Sequence, residues 1–517
     1  MIDTDHHDWL AERALRTPSA PALVFDEARW SFRELHVAAS DVADGLRAAG
    51  ISPDDHVALL AGNRPPTVVA VHAVPRLGAT LVPLNLRLTD DELAYQIEVA
   101  QPGLLLADAE RLDVAERLAA RCGVPVRHLE DDPGEGNPTI APITPVSIPG
   151  TQTHTIMYTS GTTGRPKGAM LTAGNHFASA VASMLNLGAE RDDRWLCCVP
   201  LFHVAGLSIV VRSVVSGFPL VLHDGFDPDA VSAAIEDDGV TIVSLVPQML
   251  QRLLDARAQA GGDPPFPPAF RCALTGGGPV PKPLLDRCAA IGVPVTQTYG
   301  LTETASQVAT LAPGEALSHL GAAGKPLWGS RIRLRQDGGD VPVGRAGEIQ
   351  VQGPTVMSGY FQNPEATAAA FEGAPTAPAS TRWLRTGDIG YLDDGGYLSV
   401  LDRRTDLIIS GGENVYPAEV EAILLEHPEV AEAAVVGVPD AKWGERPIAF
   451  VVARSHTFDP KTLARFAAQR LAAFKRPDDF VLVPDLPRTA AGKIQRHRLR
   501  EQATAEMELP MEIEAET

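Results

Sequence analysis

The run Tyr158-Thr159-Ser160-Gly161-Thr162-Thr163-Gly164-Arg165-Pro166-Lys167-Gly168 constrains this chain more than any other stretch. It places four Ser/Thr hydroxyls, three glycines and a lysine directly after the apolar stretch Thr155-Ile156-Met157, which reads as a buried strand end. Glycines let backbone N–H groups turn toward an anion with no Cβ in the way, and hydroxyls add donors. Lys167 brings a full positive charge. Such a loop is a polyphosphate cradle, and the fold must leave the strand end that carries it open. It is not a Walker A loop, because no Gly-x-x-x-x-Gly-Lys-Ser/Thr spacing can be drawn and Pro166 sits where that loop would enter its helix.

A chain of 517 residues is too long for one core and implies two or more domains. A net charge of −21 argues against nucleic acid as a partner, which would need clustered Lys/Arg. Five cysteines (Cys122, Cys197, Cys198, Cys272, Cys288) show no Cys-x-x-Cys spacing, which disfavours a disulfide framework or zinc site and fits a reducing compartment. Met1 to Leu10 carries Asp and His where a signal segment would be basic and then apolar. The most apolar later stretch, Leu207 to Val221, is cut by Arg212 and Pro219, so no membrane insertion is expected. The composition reads as cytoplasmic.

From Pro21 to about Asp108, apolar runs such as Val57-Ala58-Leu59-Leu60 and Thr80-Leu81-Val82-Pro83-Leu84 alternate with helical patterns. Ser31 followed by Glu34 predicts a capping box at the start of a helix from Ser31 to Ala49. Strand, helix, strand in this rhythm predicts an α/β fold with a parallel sheet under covering helices. Asp131 to Gly150 reads as a surface loop. A second alternating region runs from Leu196 to Gly300 and includes the turn Gly276-Gly277-Gly278-Pro279. After Gly324, short runs between Gly and Asp turns predict a small β-barrel or sheet, with a surface insertion at Gly373 to Ser380. A last α+β unit follows Asp402, with helices near Pro417 to Glu426 and Pro460 to Phe474. The acidic stretch from Glu501 to Thr517 is expected to be disordered.

Three further motifs carry chemistry. In Gln297-Thr298-Tyr299-Gly300-Leu301-Thr302-Glu303-Thr304, Glu303 is a hard oxygen ligand suited to Mg²⁺ on a nucleotide, with the Thr302 hydroxyl beside it. Alone, that pair would more often be a helix cap with its first-turn acid. Asp388 in Thr386-Gly387-Asp388 could accept from both ribose hydroxyls; its plain alternative is an Asx turn between strands. Ser410-Gly411-Gly412-Glu413-Asn414 allows close backbone approach. Lys493, on the turn Ala490-Ala491-Gly492, is a cation able to stabilise charge as a carboxylate attacks a phosphate.

Taken together, these strings resemble the adenylate-forming superfamily of acyl-CoA synthetases, peptide-synthetase adenylation domains and luciferases, in that family's order from residue 158 to 496. The resemblance implies an N-terminal AMP-binding domain over residues 1–401, built of mixed and parallel sheets with helices and a small β-barrel-like subdomain. It also implies a small mobile C-terminal domain over 402–500, before the tail 501–517. ATP, Mg²⁺ and coenzyme A would be the cofactor and co-substrates, and a small-molecule carboxylic acid the partner; a homo-oligomer is left open. By the resemblance, Thr159, Ser160, Gly161, Thr162, Thr163, Gly164, Lys167, Gly276, Gly277 and Gly278 hold the nucleotide and Tyr299 stacks near adenine. Thr302 meets the α-phosphate, Glu303 holds the metal, and Asp388 with Arg403 takes the ribose. Gly411 and Gly412 serve the pantetheine, and Lys493 is the adenylation lysine. The small domain would rotate between the two half-reactions. Asp402-Arg403-Arg404-Thr405-Asp406 departs from the family's usual Gly-Arg-x-Asp-Asp, with Thr405 at the hinge position.

Within that superfamily, Asn186 to Ile209, Gly276 to Pro283 and Gln297 to Gln307 look like the 2-succinylbenzoate–CoA ligases of menaquinone biosynthesis. His203 would then stand where the acyl group meets the nucleotide, its alternative being a packing histidine. Arg212 either faces the benzoate or caps a surface. Another acid:CoA ligase for medium-chain or aromatic acids, an adenylation enzyme that loads a carrier protein, and a non-catalytic nucleotide-binding module are the competing readings.

Overall fold

Short apolar runs in this chain become parallel strands buried on both faces. In a computed structural model, residues 6–129, 143–159, 165–261, 265–278, 280, 282–336, 338–374, 376–402, 408–455, 458–487, 494 and 496–508 are described. His56–Leu60 pairs in parallel with Thr80–Pro83 on one side and Leu104–Ala107 on the other. The helices Pro65–Ala73 and Asp90–Ala100 make the crossovers. Parallel sheets need both faces covered, hence the unbroken Leu/Val/Ala content of these strands. The expected capping box is present: the Glu34 N–H donates to Ser31 Oγ at 3.2 Å, and the Ser31 N–H donates to Glu34 Oε2 at 2.7 Å. The helix it starts, Phe32–Ala48, buries Phe32, Leu35, His36, Ala39, Ala43 and Leu46 at helical spacing.

The chain forms two compact units. The first comprises Met1–Leu86, Leu93–Thr159 and Lys167–Asp402. It holds a seven-stranded sheet, a nine-stranded sheet and a six-stranded antiparallel sheet in the region expected to be a β-barrel or sheet. The six-stranded sheet runs as an open path with Gly339–Asp340 and Phe371–Glu372 at its ends.

The second unit is mainly Arg403–Thr517, with the short segments Arg87–Glu92 and Ser160–Pro166. Its edge strand Val430–Asp440, paired with Gly444–Ala453, is buried on both faces over most of its length, and alternation sorts its side chains. Ala433 and Val435 pack with Val420, Leu424 and Leu463, while Ala434, Val436 and Val438 pack with Leu486, Leu499 and Ala503. Leu499 and Ala503 belong to a helix, Arg496–Glu508. The disorder expected from Glu501 therefore does not hold as far as Glu508, because an i,i+4 apolar pair buries one face of that segment. Residues 509–517 lie outside the described residues, as do 131–142 of the expected surface loop. The helix expected to reach Phe474 stops at Ala468, followed by a 3₁₀ turn at Ala473–Lys475. Among the described residues, no helix is long and apolar enough to cross a membrane.

Four histidines are buried in the first unit where helices cover Thr153–Thr159. His154 stacks on Trp9 with ring centroids 5.6 Å apart and meets His176 edge-on at 5.0 Å. His176 Nε2 lies 2.9 Å from Thr155 Oγ1. His36 Nδ1 lies 3.0 Å from Arg76 Nη2, and Arg76 pairs with Asp8 at 2.5 Å. Burial, helped by Arg76 for His36 and His72, lowers His36 and His154 to about 4 and His72 to about 3. It takes His176 well below its ordinary value. As pH falls, the unfolded chain therefore takes protons on these rings before the folded one does. The stability they contribute is complete above the unfolded pKa near 6.5 and declines as pH falls toward 4. His36, His72 and His154 should each cost about 2 kcal/mol at pH 5. The melting temperature should drop markedly between pH 7 and pH 5, and His154→Phe, which keeps a ring against Trp9, should flatten that slope in calorimetric scans.

Candidate active site

Four parallel strands of the nine-stranded sheet, Trp195–Cys197, Ile242–Leu245, Cys272–Thr275 and Val295–Leu301, end at one edge. Carboxyl ends of parallel strands are where open α/β sheets bind ligands, since the loops there diverge and leave backbone groups free. This edge carries His203 beyond the first strand, Gly276, Gly277 and Gly278 beyond the third, and Tyr299, Thr302 and Glu303 at the end of the fourth.

The last of these turns is the tightest. Val295–Leu301 folds back antiparallel on Ser306–Thr310, with a bulge between Tyr299 and Gly300. A Cβ at Gly300 would sit 1.7 Å from the Ser306 carbonyl oxygen, so only glycine fits. Ala305 and Ser306 both hold positive φ, at 50° and 93°. Strain of this kind in non-glycine residues costs about 1–3 kcal/mol each and persists only where the surroundings over-determine it. Here the Thr304 hydroxyl takes the Leu301 N–H at 3.1 Å, and Ser179 Oγ donates to the Ala305 carbonyl at 2.6 Å. The turn thus presents Thr302 and Glu303 in a fixed 3₁₀ element.

Asp388 sits on Trp383–Leu392 and is 5% exposed. The Tyr299 hydroxyl donates to its Oδ2 at 2.6 Å, and its own N–H donates to Thr386 Oγ1 at 3.0 Å. Tyr299 and Asp388 are therefore one constellation.

The expected phosphate loop connects the two strands of a hairpin. Thr153–Thr159 pairs antiparallel with Lys167–Thr172, with Thr159 opposite Lys167. Lys167 Nζ lies 5.3 Å from the centre of the Tyr360 ring, and the Tyr360 hydroxyl donates to Glu303 Oε1 at 2.9 Å. Among the described residues, no second donor reaches the Glu303 carboxylate, which leaves Oε2 for a hard cation. A single carboxylate oxygen left in this way fits Mg²⁺, which takes one or two carboxylates and fills its octahedron with phosphate oxygens and water.

On the acid side, His203 caps the helix Val204–Ser216 without a side-chain capping bond and meets Phe202 edge-on at 4.6 Å. Arg212, on the same helix, is 2% exposed, so the surface-capping reading fails. Its Nη2 donates to Ser306 Oγ at 3.4 Å, and its guanidinium lies 5.3 Å from the Trp195 ring centre. No carboxylate pairs with it among the described residues, and its buried Nε has no acceptor. Burial lowers its pKa to about 9, still above neutral pH, so it remains a cation.

In the second unit, Gly411 and Gly412 hold φ of 58° and 82° in the turn between Ile408–Ser410 and Glu413–Val415. A Cβ on Gly411 would meet the Trp443 ring at 2.8 Å, and its N–H donates to the Trp443 carbonyl at 2.7 Å. Ser160, Gly161, Thr162, Thr163, Gly164, Arg403, Thr405 and Lys493 lie outside the described residues.

Residues 10–361 match the family model of the AMP-binding enzyme, and residues 419–493 match that of the AMP-binding enzyme C-terminal domain. The chain belongs to the AMP-binding enzyme family. Within this family it is 46% identical to the 2-succinylbenzoate–CoA ligase of Bacillus licheniformis, over 96% of this chain and 99% of the relative. It is 47% identical to the enzyme of that name from Geobacillus kaustophilus, over 95% and 97%. Among solved AMP-binding enzymes, it matches a double mutant of o-succinylbenzoate CoA synthetase from Bacillus subtilis bound to its product analogue OSB-NCoA. That match has a TM-score of 0.87 and 41% identity, over 96% of this chain and 99% of the other. The same enzyme in complex with the acyl-adenylate intermediate OSB-AMP matches with a TM-score of 0.71 and 41% identity, over 96% and 98%.

Sequence reading did not single out Tyr360 or Trp443. Trp443 had a visible signal, a lone aromatic in the polar turn between Asp440 and Glu445. Tyr360 had none, because it is 57 residues from the carboxylate it binds. Gly300→Ala should destabilise the protein by about 3 kcal/mol or more, since backbone and not a flexible side chain occupies the Cβ position. Chemical denaturation of the purified variant checks this.

Proposed function

We propose that this chain is an ATP-dependent ligase that joins 2-succinylbenzoate to coenzyme A through an acyl-adenylate. In the first half-reaction, an oxygen of the succinyl carboxylate attacks the α-phosphorus of ATP. The bond from that phosphorus to the bridging oxygen breaks, and diphosphate leaves. In the second, the thiol sulfur of coenzyme A attacks the acyl carbon and gives up its proton, and AMP leaves.

Each group of the site has a part in this reading. The hairpin loop from Thr159 to Lys167 and the turn Gly276-Gly277-Gly278 hold the nucleotide. Asp388, oriented by Tyr299, takes the ribose, a role shared by Arg403. Thr302 donates to the α-phosphate and Glu303 holds Mg²⁺; the bound metal neutralises triphosphate charge. Lys493 stabilises the charge that builds up as the carboxylate attacks. The close turn at Gly411 and Gly412 serves the pantetheine arm. His203 stands at the mouth of the acyl pocket.

Arg212 is the observation that carries the choice of acid. An ionised guanidinium buried without a carboxylate is costly unless something anionic completes it. The ring carboxylate of 2-succinylbenzoate, the one not activated, would do so. Medium-chain fatty acids lack that second charge, and benzoate lacks the succinyl arm.

Two measurements test the reading. Diphosphate release should be far faster with 2-succinylbenzoate than with 4-oxo-4-phenylbutanoate, which lacks only the ring carboxylate. Arg212→Met should lower kcat/KM for 2-succinylbenzoate by about 100-fold, as expected for a lost hydrogen-bonded charge, and leave the analogue nearly unchanged. An analogue or fatty acid that matches 2-succinylbenzoate would overturn the substrate assignment. Separately, Lys493→Ala should abolish adenylate formation yet largely spare thioester formation from supplied acyl-adenylate; equal loss of both would remove the assigned role.

A further inference from the structure

The seven-stranded and nine-stranded sheets of the first unit are joined at one buried amide. Asn63 follows the strand His56–Leu60, which lies between parallel neighbours in the seven-stranded sheet. Its side chain crosses to loops of the nine-stranded sheet. Nδ2 donates to the Val199 carbonyl at 3.0 Å and to the His223 carbonyl at 3.1 Å, and Oδ1 accepts from the Leu201 N–H at 2.9 Å. Val199 and Leu201 come just after the strand Trp195–Cys197, and His223 just after its parallel neighbour Leu220–Leu222. One side chain thus ties together loops at the carboxyl ends of strands from both sheets.

Both sides of this link are firm. The Gly62 N–H donates to Asp108 Oδ2 at 2.7 Å, and Thr67 Oγ1 donates to the Gly62 carbonyl at 2.7 Å, so Asn63 projects from a fixed turn before the helix Pro65–Ala73. Opposite it, the loop from Val199 runs directly to His203. The His203 N–H donates to the Pro200 carbonyl at 3.1 Å, and the Leu207 N–H donates to the His203 carbonyl at 3.0 Å. Glycine is required at 206, where a Cβ would run into the Pro200 carbonyl, so the loop lies against the first turn of Val204–Ser216. An amide suits the link because one planar group supplies two donors and an acceptor. Aspartate would aim oxygen at two carbonyls, and leucine has the same branching with no hydrogen bonds at all.

We propose that Asn63 is a positioning residue for the acid side of the site: it sets the loop from Val199 to His203, and through it the place of the His203 side chain. The inference rests on the reading that puts His203 at the mouth of the acyl pocket, and it names the distant residue that holds it there. A misplacement of about 1 Å at a reacting group can cost about 100-fold in rate.

Diphosphate release with 2-succinylbenzoate, together with calorimetry of a non-hydrolysable ATP analogue, tests this. Asn63→Leu should lower kcat/KM for the acid by about 100-fold and leave the affinity for the ATP analogue within about twofold of wild type. Asn63→Ser, able to restore one of the lost bonds, should show an intermediate loss of about tenfold, and it carries the test if the leucine variant does not fold. In a His203→Ala background, Asn63→Leu should have little further effect, since it acts through that residue. A merely structural role would lower the melting temperature and weaken acid and nucleotide alike. Wild-type kcat/KM in the folded variants, parallel loss of acid and nucleotide, or an undiminished effect in the His203→Ala background would each overturn the proposal. His203→Ala alone judges the parent reading. Wild-type kcat/KM in that variant would overturn the role of His203 and this inference with it, whereas a deficient His203→Ala beside a normal Asn63→Leu would overturn the role of Asn63 alone.

Discussion

The approach of Gly300 to the Ser306 carbonyl is the contact on which the rest of the site depends. A strand and its return are brought closer than any side chain allows, and the turn absorbs the misfit as positive φ at Ala305 and Ser306. Because that turn is closed, Thr302 and Glu303 are held at the carboxyl end of their strand. Ser306, on the other side of the same turn, reaches Ser208 and Arg212 on the helix after His203. The groups proposed for the nucleotide and for the acid are thus tied to one piece of backbone. Its strain is stabilised by bonds from Thr304 and Ser179.

Neutral donors recur across the site. Asp388 accepts from the Tyr299 phenol and Glu303 from the Tyr360 phenol. Arg212 rests over an indole ring and beside a serine. Such contacts fix the orientation of these side chains in advance, as preorganisation for charged substrates requires. The buried histidines follow a different logic. They are held neutral by burial and contribute packing, at the expense of tolerance to acid.

The sequence made the framework legible because the framework is local. Ser31 and Glu34 stand three apart and satisfy each other across one helical turn. Val57 to Leu60 and Thr80 to Pro83 announce buried strands through unbroken apolar content. The phosphate hairpin, the Thr302-Glu303 turn and the Gly411-Gly412 turn are contiguous strings. What was not legible depends on tertiary contact. Tyr299 meets Asp388 across 89 residues, and nothing near either predicts it. Arg212 reads equally as a surface or a buried residue until the Trp195 strand is placed beside it. The final helix was missed because Leu499 and Ala503 are sparse apolar signals in an acidic stretch, and only the opposing strand gives them something to pack on.

Arg212 also bears on how such a protein can evolve. A methionine or leucine of similar reach would pack against Trp195 without the desolvation that a guanidinium suffers, so drift toward apolar residues at this position is favoured by stability. If Arg212 meets the ring carboxylate as proposed, its retention requires continuous selection by the acid itself. A lineage that ceased to meet a doubly charged substrate would be expected to lose this residue early, while the nucleotide machinery, held by backbone geometry, persisted. Specificity in this fold is then the more easily altered layer, and adenylation chemistry the more deeply embedded one.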